Sequence, residues 1–416
     1  MEKIKFEKVY FFLISLIPIS IVVGPSISLI NILLIAILFL INLKFINIKF
    51  EDKNIFFLLI FLYFYLIFNS FISIDFKEGA LRNFGFIRFV ILFFAINYFY
   101  HIFYQKNKFI TLWSIAIFLV VIDSIIEFTF GQNILGYGDE LYVNRIVSFF
   151  KDEPIVGGYL LGFIFIIIGF YFDNYFNKSI KYNFILFLLI LFLVGCVLIT
   201  GERSNGIKTI LALTIFIFLN KKINYKFKIF GFLLTALIAG LIIVNSNYLK
   251  IRYGQQLFSQ LFDENQRGQF IENNLYLKLY KSGFAIFKDY PVFGVGNKNY
   301  RVITTKNTET KLNDNYLLST HPHQIYIEFL SEHGLIGSII LLSIFFTLIF
   351  KNLKIIIMSR NSIQLGCFVY LIINFMPILP GGSFFNDFSS TLFWINLSIM
   401  YACNEKTNIF SRAKNL

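Results

Sequence analysis

Charged residues are scarce in this sequence: Asp, Glu, Lys and Arg together make up 15% of its 416 residues, whereas 57% are hydrophobic. A chain of this length could form two or three soluble domains, but its mean hydropathy of +0.70 leaves too few polar residues to cover their surfaces. The composition therefore excludes a soluble globular protein. We expect lipid to be the solvent for most of the chain.

Cysteine is also rare, and Cys196, Cys367 and Cys403 all lie within or beside apolar runs. We therefore expect no disulfide framework and interpret the three thiols as small packing residues. The chain has no long Pro/Gly/Ser linker, no short-period repeat and no soluble terminal domain. Because no small-residue cleavage site follows the first apolar run, we interpret that run as an uncleaved first helix.

Long apolar runs dominate what remains, and most are long enough to cross a hydrocarbon core of about 30 Å. The sequence predicts an all-α membrane protein of about twelve transmembrane helices. Spans one to nine occupy residues 1–245, a long loop occupies 246–324, and spans ten to twelve with a short tail occupy 325–416. The runs lie near residues 9–23, 27–43, 55–73, 84–101, 110–130, 154–172, 183–199, 207–220, 228–245, 334–350, 361–376 and 384–402.

The distribution of basic residues predicts an orientation. With the N-terminus inside, seven short segments alternate onto the cytoplasmic side, and together they hold 20 of the 37 Lys and Arg residues. The outer side holds 17, ten of them in the long loop, which is long enough to escape the positive-inside rule. We therefore expect both termini in the cytoplasm. The net charge of +13 therefore arises mostly from the basic residues that orient the spans. No basic and aromatic module indicates a nucleic-acid partner.

Arginine is the minority basic residue, with nine among the 37, and its distribution is uneven. Where the chain needs only a positive charge on the cytoplasmic side it uses Lys. The outer arginines therefore indicate sites that bind phosphate through a planar, bidentate guanidinium. Those on or near the outer side are Arg82, Arg88, Arg145, Arg203, Arg252, Arg267 and Arg301.

One candidate phosphate site is the segment Gly201–Gly206, which joins spans seven and eight. It places Arg203 at the outer start of a helix, where free N–H groups and the positive end of the helix dipole favour anions. Lys208 follows within two turns and adds charge. The alternative is an interfacial arginine that extends to lipid headgroups.

A second candidate is Arg267 in the long loop. It begins an amphipathic helix in which Ile271, Leu275, Leu279 and Phe287 recur at helical spacing, so the helix can lie on the bilayer beside lipid phosphates. The alternative is a solvated loop arginine. After Pro291, Gly294 and Gly296 make a tight turn, which we include among the candidate substrate-binding residues.

The sharpest feature is Thr320–Gln324, at the end of the long loop. Two of the four histidines, His321 and His323, lie here, followed by Gln324 and an amphipathic stretch that leads into span ten. A neutral imidazole at the outer surface can accept a proton from a sugar hydroxyl, which is what glycosyl transfer to an alcohol requires. The alternatives are a turn or capping histidine and a His321/His323 metal pair, although no third ligand is evident. We predict His323 as general base, no metal and no cofactor.

These segments together resemble the O-antigen ligase and O-antigen polymerase superfamily. The family signature of His, then Asn, Ser or Gln, nine residues, Gly, two residues and Gly is similar to His323, Gln324, Gly334 and Gly337. The family's arginine after span seven resembles Arg203 and its loop arginine resembles Arg267. Its Pro and Gly turn resembles Pro291 to Gly296. A weaker likeness covers Arg145 to Tyr159.

The resemblance implies a GT-C-like architecture with a large periplasmic loop in the bacterial inner membrane. It also implies transfer of a glycan from undecaprenyl pyrophosphate at the periplasmic face. Arg203 and Arg267 would bind the pyrophosphate, with Lys208, Arg145, Gly294, Gly296, His321 and Gln324 as further substrate contacts. The acceptor would be lipid A core for a ligase, which we favour, or a second lipid-linked glycan for a polymerase. A flippase or transporter is the distant alternative, with Arg88, Asp123 and Glu127 as its only charged candidates inside spans.

Overall fold

The computed structural model describes residues 2–43, 50–102, 107–138, 145–151, 153–245, 249–250 and 274–410. Within these ranges the chain is helical, with a short 3-10 turn at Ser148–Phe150 and a β-bridge between Phe50 and Phe410. The α-helices are α1 (Glu2–Ser15), α2 (Ile17–Val23), α3 (Pro25–Asn42), α4 (Lys53–Phe71), α5 (Phe76–Gly85), α6 (Ile87–Ile102), α7 (Lys108–Phe130), α8 (Val156–Tyr175), α9 (Ile180–Ile199), α10 (Arg203–Leu219), α11 (Tyr225–Asn245), α12 (Leu275–Asp289), α13 (Tyr300–Thr310), α14 (Ile325–Phe350), α15 (Leu353–Met358), α16 (Ser362–Asn374) and α17 (Asp387–Ala402).

This architecture confirms the predicted fold class, an all-α membrane protein. Among the described residues, eight helical segments are long and apolar enough to cross a membrane, and α1 with α2 make a ninth if that pair, bent by 46°, is one span. The predicted runs at 207–220, 361–376 and 384–402 form the shorter helices α10, α16 and α17. Crossing of the membrane by these three helices, and thus a total of twelve, stays a prediction.

The core of the bundle is built around α8, of which 78% is buried, compared with 12% of α11. Helix α8 packs against α16 at two glycines. A Cβ atom on Gly169 would lie 2.4 Å from the Ser362 carbonyl oxygen, and one on Gly366 would lie 2.2 Å from that of Phe165. Small residues at such a crossing let two backbones touch, which is how helices gain packing energy in lipid.

One end of the bundle carries the elements that matter for function. We call it the loop end: it comprises α12, α13, the connection 375–386 between α16 and α17, and the first turns of α10 and α14. Helix α14 is interrupted here, because Gly334 has φ +64° and ψ −168°, a conformation open only to glycine. The break separates the short amphipathic part of α14, next to the loops, from its long apolar part.

Candidate functional site

His323 immediately precedes α14, and the geometry of the helix start explains its neighbour. The side-chain oxygen of Gln324 accepts a hydrogen bond from the Ile327 N–H at 2.9 Å, which caps the helix. Asn and Ser, the other residue types of the family signature, are also good caps. His323 itself has φ +58°, a left-handed conformation that turns the chain into the helix. Gln324, predicted to bind substrate, therefore has a clear structural role, and its contact with substrate stays a prediction.

The His323 side chain lies in a ring cluster. Its imidazole centroid is 3.9 Å from that of His321 and 5.7 Å from the Tyr276 ring, which meets it edge-on. Burial lowers the pKa of His323 below its usual value, and contact with the Gly381 backbone opposes this. The ring is therefore neutral at neutral pH, the form that a general base requires.

His321 is held neutral more strongly. Burial lowers its pKa to about 3, and the charges of His323, Arg301 and Lys298 act in the same direction. Its Nδ1 lies 2.9 Å from the Thr320 hydroxyl, and contact with the Gly381 backbone opposes the fall in its pKa. The described ranges contain no group of three His, Cys, Asp or Glu residues that could hold a metal ion around this pair.

The connection 375–386 joins the histidines to α10. The His323 carbonyl accepts a hydrogen bond from the Gly381 N–H at 2.9 Å. One residue earlier, the Pro380 carbonyl accepts from the Ser204 hydroxyl at 2.5 Å and from Lys208 Nζ at 3.3 Å. The predicted phosphate-binding start of α10 and the predicted base are therefore linked through two adjacent residues. No motif in the sequence indicates this link.

The start of α10 gathers three of the predicted site residues around a carboxyl group. Glu202 accepts hydrogen bonds from the Gly157 N–H at 2.5 Å and from Asn205 Nδ2 at 2.6 Å. Burial raises the pKa of Glu202 to about 7, while those two hydrogen bonds and the charge of Arg145 oppose the rise. Lys208 also interacts electrostatically with this carboxyl. Arg145, Lys208 and the helix that begins at Arg203 therefore lie together, and their contact with substrate stays a prediction.

The turn that contains Gly294 and Gly296 supports the break in α14. The Gly296 N–H donates to the Glu332 carbonyl at 2.8 Å. A Cβ atom on Gly334 would lie 2.4 Å from the backbone of Val292, and one on Gly294 would lie 2.5 Å from the backbone of Glu332. The two turn glycines thus have close backbone contacts with the protein. Their predicted contact with substrate is not tested by this packing.

Arg267 lies outside the described residues. The part of its predicted amphipathic helix that the structure describes is α12, which begins at Leu275 after the cap residue Asn274. Of the residues predicted to form its apolar face, Leu279 is buried and Leu275 is exposed, and Ile286 is buried as well. Tyr276 on this helix contacts the ring of His323. The described start of α12 therefore reaches the predicted base.

The structure brings together a second group of cations at the loop end, which the sequence did not predict. Arg82 on α5 and Arg88 on α6 both pair with Asp387 at the start of α17, Arg82 through Nη1 at 2.5 Å. Burial and the positive charges of Arg82 and Arg301 lower the pKa of Lys298, so these three cations lie near one another. The excess of arginine on the outer side was the available signal, but sequence spacing does not show which arginines meet.

The charged residues inside spans that a transporter could use are engaged with loops. Glu127 accepts from the Ser148 N–H at 2.6 Å, and Asp123 accepts from the Ser148 hydroxyl at 2.5 Å. Arg88 pairs with Asp387. All three therefore anchor the loop end. A transporter would instead place such groups beside a path near the middle of the bundle.

Comparison with known families supplies one result. Residues 187–342 match a family model described as O-antigen ligase. The matched segment runs from α9 into α14 and includes Arg203, Arg267, His323 and both signature glycines. A search of curated proteins finds no match to the chain. The family match confirms the resemblance drawn from the sequence.

Proposed function

We propose that this chain, whose residues 187–342 match the O-antigen ligase family model, transfers a glycan from undecaprenyl pyrophosphate to a sugar hydroxyl. The family supports a glycosyltransferase-like enzyme of ligase or polymerase type in a multi-pass membrane protein. One observation carries the finer proposal. A neutral His323 is linked through Gly381 and Pro380 to the cationic start of α10.

On the donor side, the pyrophosphate binds at the start of α10. Arg203 and Arg267 clamp it through bidentate hydrogen bonds, and Lys208, Arg145 and the free N–H groups of the helix start add positive potential. These groups hold the donor and stabilise the charge that develops as its glycosidic bond breaks. The undecaprenyl chain enters between helices, so the reaction needs no aqueous channel across the membrane.

On the acceptor side, His323 removes the proton from a sugar hydroxyl. The acceptor oxygen forms a bond to the anomeric carbon of the donor glycan as the bond from that carbon to the pyrophosphate oxygen breaks. The electron pair leaves with undecaprenyl pyrophosphate, and the proton stays on the imidazole until solvent removes it. In-line displacement inverts the anomeric centre. The residues assigned to these steps act without a metal ion.

The acceptor separates the two activities of the superfamily. A lipid A core sugar makes the enzyme an O-antigen ligase, whereas the sugar of a second lipid-linked glycan makes it a polymerase. We favour the ligase, because the signature His323, Gln324, Gly334 and Gly337 has the ligase form. The proposed site lies at the periplasmic face of the bacterial inner membrane, with residues 246–324 as the periplasmic loop and both termini in the cytoplasm.

Replacement of His323 tests the base assignment. With His323→Ala we expect glycan transfer in cells to fall by about 10²- to 10⁴-fold, the usual contribution of a general base. His333→Gln is the control, because His333 lies on α14, the helix that His323 precedes, and is buried against Tyr65, to which it bonds. Protein level in the membrane is measured by immunoblot. Unchanged transfer by a normally inserted His323→Ala protein would refute the assignment.

Conservative replacement of the arginines tests the clamp. Lysine keeps the charge but cannot form the bidentate fork, so we expect Arg203→Lys and Arg267→Lys to raise the KM for donor by about tenfold each. Full activity in both variants would contradict the clamp.

Deletion of the gene distinguishes the ligase from the polymerase. Cells that lack a ligase lose all long lipopolysaccharide chains on a gel and accumulate lipid-linked polymer. Cells that lack a polymerase retain a single repeat unit on the core. Normal lipopolysaccharide in the deletion strain would exclude both activities.

A further inference from the structure

A group of cations lies beside the two histidines and has no part in the donor site. Arg82, Lys298 and Arg301 interact electrostatically with one another, and Arg301 and Lys298 both act on His321. They come from three separate elements: α5, the turn before α13, and α13 itself. We call these three residues the second cation group.

The local carboxylates do not neutralise this group. Asp387 is shared between Arg82 and Arg88. Glu328 and Glu332 also act on Lys298, but both accept hydrogen bonds from other protein groups. When Arg88 is counted with the second cation group, four cations face these three carboxylates. The net charge therefore stays positive even if every one of these carboxyl groups is ionised.

One buried nitrogen atom of this region lacks a partner. The Nε of Arg301 is buried and has no hydrogen-bond partner among the described residues. The neighbouring His321 ring contacts the Gly381 backbone and interacts electrostatically with Arg301. Buried polar atoms are nearly always satisfied in folded proteins, so the buried Nε of Arg301 indicates a missing acceptor. A phosphate suits it, because guanidinium binds phosphate oxygens in a planar fork.

We propose that Arg82, Lys298 and Arg301, with His321, form a second phosphate-binding site that holds a phosphate group carried by the acceptor. The inference rests on the proposed function above. The donor pyrophosphate binds at the start of α10, which reaches His323 through Pro380 and Gly381. The second cation group reaches the histidines from the side of His321. An acceptor anchored there presents its hydroxyl to His323 opposite the donor, as in-line displacement requires.

Two acceptors carry the required chemistry, and they correspond to the two candidate activities. A ligase would place a phosphate of lipid A core in this site. A polymerase would place the pyrophosphate of its second lipid-linked glycan there. In both cases the ligand is an anionic phosphate on a membrane lipid. The lipid that carries the phosphate distinguishes a ligase from a polymerase.

Native mass spectrometry of the purified full chain tests the proposal. The probes are undecaprenyl pyrophosphate and diphosphorylated lipid A, with undecaprenol as the phosphate-free reference. We expect the wild-type chain to bind two phosphate-bearing lipids at once. Arg301→Gln should bind only one, with the second affinity reduced by about tenfold or more, and Arg301→Lys should recover part of the loss. Lys306→Gln, an exposed residue on the same helix, is the matched control and should behave as wild type.

The lipid combination identifies the acceptor. Two molecules of undecaprenyl pyrophosphate indicate a polymerase, and one molecule of each lipid indicates a ligase. Arg203→Gln should remove the donor and leave the second lipid bound. One bound phosphate lipid in the wild type, or two in Arg301→Gln, would overturn the second site and leave the donor site standing. Loss of the donor in Arg301→Gln but not in Arg203→Gln would overturn both assignments.

Discussion

At the scale of single residues, the site depends on groups that burial keeps neutral. His323 has a pKa below its ordinary value of 6.5, so it takes up a proton only in more acidic solution. The role of general base that we propose for it requires the neutral form. We therefore expect the rate at saturating donor to be constant from pH 8 to about 6.5 and to fall below that pH. Initial rates of the purified enzyme test this, and a loss of rate centred above pH 6.5 would contradict the base assignment.

Glu202 predicts a separate effect of pH on donor binding. Because burial raises its pKa to about 7, the carboxyl is neutral below that pH and negative above it. A negative charge at the start of α10 weakens the attraction for pyrophosphate. We expect the KM for donor to rise by about three- to fivefold from pH 6 to pH 8, the effect of one partly screened charge. Glu202→Gln should abolish this dependence, and a variant that keeps it would show that another group titrates.

Residue types alone selected most of the candidates for this site, because imidazole and guanidinium chemistry can be recognised in isolation. Arg145, Arg203, Lys208 and His323 were identified in this way, and the structure brings Arg145, Lys208 and the start of α10 together. Their protonation could not be predicted. It depends on burial and on partners such as Gly157, which lies 45 residues before Glu202 in the chain.

At the scale of elements, helix α14 shows what a spacing of glycines provides. The signature contains Gly334 and Gly337 as a pair, and the structure shows that glycine is required at the two positions for different reasons. Gly334 adopts a left-handed conformation at the break. Gly337 leaves room for the Tyr65 hydroxyl, which would lie 1.9 Å from a Cβ atom, and that hydroxyl bonds to His333 Nδ1 at 3.1 Å. Helix α4 is thereby held against the part of α14 that carries the site.

This close contact predicts the result of a pair of substitutions. Gly337→Ala should lower the free energy of unfolding of the purified protein, followed by thermal unfolding, by about 1–3 kcal/mol, because α14 and α4 must move apart. Combining it with Tyr65→Phe removes the clashing oxygen and should restore part of the loss. Tyr65→Phe alone is the control, since it removes the bond to His333 without adding volume. Equal destabilisation by the single and double changes would show that the contact is not limiting.

Other elements could not be predicted from local patterns. The connection 375–386 looks like a short Pro and Gly turn between two apolar runs. Its function depends on Pro380 and Gly381 meeting residues more than 50 positions away in the chain. The helix α13 was likewise missed, because its mostly polar sequence has no strong apolar period.

At the scale of the whole molecule, the loops sort into two sets. At one end, Glu51 N–H donates to the Ile409 carbonyl at 2.9 Å, and Lys222 pairs with Asp173 at 2.5 Å. At the loop end, Ser204 bonds to Pro380. Each of these contacts joins segments that the positive-inside rule assigns to the same side. This agreement supports twelve crossings, including the short helices α10, α16 and α17.

Cysteine labelling tests that count in intact cells. In a Cys403→Ser background, a membrane-impermeant thiol reagent added outside should label Ile378→Cys and not Lys406→Cys, because α17 crosses between them. Lys306→Cys in the long loop is the positive control, and Lys226→Cys on the basic side is the negative one. Labelling of Lys406→Cys would mean that α16 and α17 do not both span the membrane.

The hydrogen bonds of Pro380 and Gly381 have a consequence for how the enzyme can evolve. In the proposed mechanism, the Pro380 carbonyl and the Gly381 amide set the distance between the donor phosphate and the base, and both of these atoms belong to the main chain. Substituting side chains along the connection leaves that distance unchanged. A change in the size of the sugar accepted at the junction therefore calls for an insertion or deletion in 375–386, and related enzymes with different sugars should differ there in length.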